Sequence, residues 1–253
     1  MSKKQARILA AGSGLSAIAA AVFIATNNSV VESPTVEPTE VIHTAPSPPH
    51  SFKDATCDPA SDMGEMPELD PMSWWAPSID AGASFALSAT LPASATTNDG
   101  IIYSYSEEIG AAQGASLLVG HVDYEPGALS GDGGELTSWG KLHKLSQCDL
   151  IYTSDANGSV VASQLTSLYT APQFDEELER KVEADPTNIE LREQLEQQRE
   201  VQARIFRSSG PYAISFMTCS GPSVADVGGA FQFRYSDNLI AETSPVTEIR
   251  AKL

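Results

Sequence analysis

Positive charge is scarce in this chain. Lys and Arg number 15 against 33 Asp and Glu, for a net charge of -18 over 253 residues. A surface this acidic repels polyanions, so nucleic acid is excluded as a main partner. Cysteine and histidine are few, at three and four residues. Two of the histidines, His43 and His50, fall in a Pro-rich stretch without neighbouring ligands and read as spacer residues. No EF-hand spacing appears among the acids of 175–200, and a run of Glu on a helix is a solvated face, so no metal and no cofactor is expected. Internal repeats are absent. What remains is a chain with 42% hydrophobic residues, enough for one packed domain with appendages.

The N-terminus places Lys3, Lys4 and Arg7 ahead of an apolar run from Ile8 to about Ala25. That length is near what a bilayer requires, and the basic flank should stay inside. Residues 1–27 thus read as a membrane anchor, with a cleaved signal peptide as the alternative. Residues 28–65 are rich in Pro, Ser, Thr and Glu without periodicity, and read as an extended, poorly ordered extracellular stalk.

From residue 66 to 253 the texture is that of a β-domain. Short runs suited to strands recur at 84–89, 100–106, 115–122, 149–154, 159–170, 212–219 and 238–243. "DANG" at 155–158 is a hairpin signal, because Asn-Gly accepts positive φ. Many short strands with close turns point to an all-β sandwich or barrel. One segment, about 174–206, consists of strong helix formers broken at "DPTN", with Thr187 or Asn188 available as a cap.

Cys219 stands out, because the strand-like run "AISFMTC" delivers it into Ser-Gly-Pro, where a turn is expected. In an oxidising compartment thiols pair, and an odd count leaves one over. Cys57 and Cys148 are available as a bridge that would staple the stalk to the domain; the alternative is that all three stay reduced. A useful thiol needs a partner to take its proton. His143 lies among polar and basic residues and reads as surface, whereas His121 closes the buried-looking run "ASLLVGHV" ahead of a Gly-containing loop. Arg234, the one arginine between Cys219 and the C-terminal tail, is a candidate to polarise a carbonyl.

Four phrases in order, "LLVGHVD", "LTSWGKLHKLSQCDLIYTSDANG", "ISFMTCSG" and "FRYSDNLIAE", resemble sortases, the cysteine transpeptidases of Gram-positive cell envelopes. The Cys-Ser-Gly turn and the "YSDNLI" ending resemble the actinobacterial class F branch most. The resemblance spans roughly residues 70–245 and carries Cys148 where the family has glycine. It implies an eight-stranded β-barrel, with the helical segment as an insertion between the sixth and seventh strands that is unusually long for the family, and His121, Cys219 and Arg234 as catalytic residues. Thr218 and Asp123 would shape the substrate site. It further implies a thioester on Cys219 from an LPxTG-like sorting-signal peptide, released by an amine of a peptidoglycan precursor or a pilin. The domain would stand on the extracellular face of the membrane, tethered through the N-terminal segment. The alternative is a catalytically weak or non-enzymatic surface binding module on the same barrel.

Overall fold

A computed structural model describes residues 43–58, 65–92, 95–111, 114–125, 135–175, 177–206, 213–225 and 233–246. The apolar N-terminal segment and the stalk up to residue 42 lie outside the described residues. Nine strands run in chain order: β1 (Thr44–Ala45), β2 (Ser73–Ala76), β3 (Ala81–Ser88), β4 (Gly100–Tyr103), β5 (Ala115–Val119), β6 (Leu150–Ser154), β7 (Val160–Pro172), β8 (Ala213–Ala225) and β9 (Phe233–Pro245). Eight of them, β2 to β9, form a closed barrel in the order β8-β5-β4-β3-β2-β6-β7-β9, with β9 pairing back onto β8. Closure removes the free edges that an open sheet would expose. Pairing is parallel for β3 with β4 and for β5 with β8, and antiparallel elsewhere.

The long strands alternate between two apolar layers, as a period of two requires. On the inner face Trp74, Trp139 and Phe216 meet edge to face or tilted, surrounded by Leu118, Ile151, Leu165, Leu168, Ile214 and Leu239. On the outer face of β5, β7, β8 and β9, Leu117, Tyr169, Ala171, Ile240 and Met217 form a second cluster. This outer cluster explains why those strands read as near-continuous apolar runs: both of their faces are covered.

The cover is the helical insertion. Helices α1 (Leu178–Ala184) and α2 (Ile189–Ile205) join β7 to β8, the sixth and seventh barrel strands. Asn188 caps α2, its side chain accepting from the Leu191 amide at 3.2 Å. Val201, Ile205 and Phe206 bring the C-terminal end of α2 onto the outer cluster. The break at "DPTN" therefore separates two helices as the residues suggest. Among the described residues no helix is long and apolar enough to cross a membrane.

Three sequence expectations change. Residues 43–58, assigned to the stalk, pack on the barrel: β1 pairs with Gly221 and Pro222, Phe52 forms a bridge with Leu168, and Cys57 is disulfide-bonded to Cys148 with a Cα–Cα distance of 5.5 Å. Apolar Ala45 is buried there, which a solvated spacer would not allow. Ser-Gly-Pro is not the end of a strand either. Strand β8 continues to Ala225 through a bulge between Ser220 and Ser223. Gly221 has φ +79° there, and a Cβ would lie 2.2 Å from Asp237 Oδ2, so only glycine fits. Finally, β2 was missed because it is four residues long and holds two Trp without alternation.

Candidate active site

The site forms where β5 and β8 run side by side. Their parallel register ends at Val119 opposite Met217, and the Gly120 amide still donates to the Met217 carbonyl at 3.1 Å. Beyond that point β5 ends; Cys219 follows Met217 by two residues on the outer face of β8, and His121 follows Val119 by two residues outside the strand, with Val122 packed in the same cluster as Cys219. Gly120 is required at this step. It lies beneath the Trp139 indole, where a Cβ would approach ring atoms to 2.1 Å. Thr137 then fixes the backbone past the strand end: its hydroxyl donates to the His121 carbonyl and accepts from the Gly140 amide at 3.2 Å.

The imidazole itself points elsewhere. His121 Nε2 donates to the Pro92 carbonyl at 2.7 Å, at the edge of a cleft of about 300 Å³ lined also by Ser88, Ala95, Asp99 and Ile101. The β5–β8 register thus ends two residues before both His121 and Cys219, and the β3–β4 connection holds the His121 ring.

Cys219 is the free cysteine and is half-buried. Its thiol is pushed up to about 11, first by burial and then by the negative charge of Asp123, against a hydrogen bond from Gln173 that lowers it. At neutral pH this sulfur carries its proton. Gln173, just past the end of β7, donates from Nε2 to Cys219 Sγ at 3.5 Å and accepts at Oε1 from Arg234 Nη1 at 3.1 Å. Arg234 therefore reaches the sulfur through an intermediate side chain. Asp123 accepts from the Tyr235 hydroxyl at 2.6 Å, and burial, with this hydrogen bond second and the Asp123 charge third, holds that phenol above its ordinary range.

Of the expected site residues, Asp123 acts on the Cys219 sulfur through its charge and Arg234 reaches it through Gln173, whereas the His121 ring is held on the Pro92 carbonyl. Thr218 is different. It is buried on the inner face, opposite Cys219, and its hydroxyl makes no hydrogen bond among the described residues. The strand alternation that exposes one residue of the Thr-Cys pair turns the other inward, so Thr218 does not line the site. His143 bonds the Gly140 carbonyl at 2.6 Å and has no part in it. Gln173 and Tyr235 went unnoticed in the sequence. Tyr235 follows Arg234 and was within reach of a closer reading, whereas Gln173 lies 46 residues from Cys219 and is paired with it by the β7–β9–β8 ladder. Among the described residues no group of three or more His, Cys, Asp or Glu could hold a metal ion.

Chemically, the arrangement offers an enclosed thiol, a titratable ring one strand away, an amide donor on the sulfur and a guanidinium behind it. No family model and no curated protein matches the chain. Solved structures similar to it include a Clostridium perfringens sortase D5 transpeptidase, at 11% identity over 72% of this chain and 82% of that one, with a TM-score of 0.39. Sortase C1 from Streptococcus agalactiae matches at 15% identity, covering 70% and 67% of the two chains with a TM-score of 0.40. A sortase from Corynebacterium diphtheriae matches at 13%, covering 75% and 93% with a TM-score of 0.38. At such identities and scores nothing about the site is transferred from them.

Proposed function

We propose that this chain is a sortase-like cysteine transpeptidase, most like the class F kind of Gram-positive actinobacteria. It would take the acyl part of an LPxTG-like sorting signal onto Cys219 and hand it to an amine of a peptidoglycan precursor or a pilin. The observation that supports this reading most is the link of Arg234 to the Cys219 sulfur through Gln173, beside a parallel β5–β8 register that ends two residues before both His121 and Cys219. A thiol at about 11 is a poor nucleophile at neutral pH unless a base takes its proton during attack. His121, released from the Pro92 carbonyl, is that base. The Cys219 Sγ–carbonyl carbon bond forms, the Thr–Gly bond of the signal breaks, and the leaving amine carries away the proton from the imidazole. The acceptor amine then gives a proton to His121, forms the new amide and expels the sulfur. Arg234 steadies the oxyanion or the peptide, and Asp123 shapes the wall through Tyr235. In this reading the domain faces outward from the cell membrane, with the N-terminal segment as its tether.

A second reading has its own observation. The protonated thiol and the imidazole bonded to Pro92 suit a barrel that binds sorting signals and transfers them poorly. One experiment separates the two. The full chain is incubated with a library of LPxTG-like peptides and an amine acceptor, beside Cys219→Ala and His121→Ala, and adducts are followed by mass spectrometry. A thioester on Cys219 with transfer product, both lost in Cys219→Ala and the product lost in His121→Ala, is expected. Peptide binding without any adduct would move the reading to the weak module, and no binding at all would end both.

A further inference from the structure

Gln173 occupies a position that the proposed chemistry, as stated so far, does not use. Its backbone amide donates to the Ser236 carbonyl at 3.0 Å, continuing the β7–β9 ladder one step past Pro172. Strand alternation then sets its side chain on the outer face with Tyr169 and Ala171, the face that holds Cys219. A primary amide has two donors on nitrogen and an acceptor oxygen. Here the oxygen is engaged by Arg234 Nη1 at 3.1 Å, which turns the nitrogen toward Cys219 Sγ at 3.5 Å. Guanidinium donates only, so the pairing fixes which end of the amide faces the sulfur. Sulfur accepts weakly as a thiol and far better as a thiolate, because a charged acceptor strengthens the bond.

The chain beyond Gln173 is held as well. The Asp175 amide donates to Gln198 Oε1 at 2.8 Å, and Gln198 Nε2 returns a bond to the Asp175 carbonyl at 3.2 Å, clasping the entry of the insertion to α2. Asp175 also pairs with Lys181 at 2.5 Å and lies within the field of Arg234. The charged and titratable groups facing Cys219 are therefore few. Asp123 comes from the chain after β5 and Tyr235 from β9, with Arg234 of β9 behind Gln173, while the His121 ring is held on the Pro92 carbonyl. His43 of the β1 segment is stacked on Phe233 at 4.9 Å, one residue before Arg234.

We propose that Gln173 is a catalytic hydrogen-bond donor to the Cys219 thiolate, oriented by Arg234, so that the arginine acts on the sulfur through the amide. This deepens the transpeptidase reading above and rests on it for its purpose, but its test does not require a peptide substrate. With Cys57 and Cys148 bonded, Cys219 is the one free thiol of the three. The rate of its alkylation by iodoacetamide in the full chain, from pH 7 to 11.5, reports the thiolate directly.

Gln173→Glu is the informative variant, since it keeps the size of the side chain and an oxygen for Arg234 while replacing the donor by an acceptor. Gln173→Ala removes both. The expected result is that both variants move the alkylation midpoint upward and slow the reaction at pH 8 by about tenfold to a hundredfold, the range for losing a hydrogen bond to a charged group. Arg234→Gln moves the midpoint in the same direction by less. A wild-type midpoint in a Gln173→Glu protein of unchanged melting temperature would overturn the proposal. Should Gln173→Ala fail to fold, Gln173→Met decides, since it keeps the length of the side chain with neither donor nor charge. A shifted midpoint in a protein that forms no peptide adduct would support the hydrogen bond while ending the transpeptidase reading, which keeps the two failures distinct.

Discussion

Two arginines bracket strand β9, and they are held in opposite ways. Arg204, at the end of α2, is mostly enclosed and donates to both carboxylate oxygens of Asp54 at 2.9 and 3.0 Å, to Glu242 at 2.6 and 2.9 Å and to the Ser167 hydroxyl at 2.9 Å. Its guanidinium lies 5.6 Å from the Tyr169 ring. These bonds, Asp54 first, hold it above even the usual arginine range. Arg234 is exposed and has one side-chain bond, to Gln173. A guanidinium with all three nitrogens engaged ties elements together, here the insertion, the 43–58 segment and the barrel. One with most donors open can meet a substrate. The same residue type thus marks a brace at one end of β9 and the candidate site at the other.

If that division holds, changes in the brace cost stability and spare the Cys219 alkylation profile, and changes at the site do the reverse. The largest effect belongs to the disulfide. Replacing both Cys57 and Cys148 by Ser releases a closure of 91 residues and should cost about 4 kcal/mol, read as a lower denaturant midpoint. Next comes Arg204→Ala, which leaves Glu242, itself 14% exposed, without its partner. About 3 kcal/mol is expected, discounted from the deepest cases because Asp54 is open to solvent. Its melting temperature should fall while the thiol midpoint stays put; a shift of that midpoint without loss of stability would break the comparison.

Arg234→Gln should change stability by under about 0.5 kcal/mol, as exposed charges do, while slowing alkylation of Cys219. The smallest change expected is in Asp123→Asn. Its charge raises the thiol, so removing it should move the alkylation midpoint down from about 11 and speed the reaction at pH 8. The sign carries over to stability. The folded thiol holds its proton more tightly than an unfolded one, so its contribution is present below the ordinary thiol range and lost as pH rises through about 11. Unfolding midpoints that stay flat from pH 8.5 to 11 in the wild type would leave Cys219 without the burial ascribed to it.

Seven strand segments, the hairpin at 155–158 and the two-helix insertion were all readable from local pattern, because each depends on residues near one another in the chain. His121 and Cys219 stand out for a related reason: each closes an apolar run, and the parallel β5–β8 register ends two residues before both. What escaped depends on contacts across the chain. The 43–58 segment has the composition of a linker, and its order comes from pairing with Pro222 and Leu168, far off in sequence. Thr218 looked like a neighbour of Cys219 in every sense until alternation turned it inward. Gln173 carries no sequence signal, since its partner becomes visible only when β7, β9 and β8 are laid side by side.

The course of the 43–58 segment bears on how the barrel answers a pull from its N-terminal side. Tension would first peel the two residues of β1 away from Gly221 and Pro222, beside the reactive sulfur. It would then strip Phe52 from Leu168 and come to rest at Cys57, where a covalent bond to Cys148 passes the load into the loop before β6. The eight barrel strands lie behind that stop. Mechanical strain would therefore reach the wall beside the thiol well before it threatened the fold.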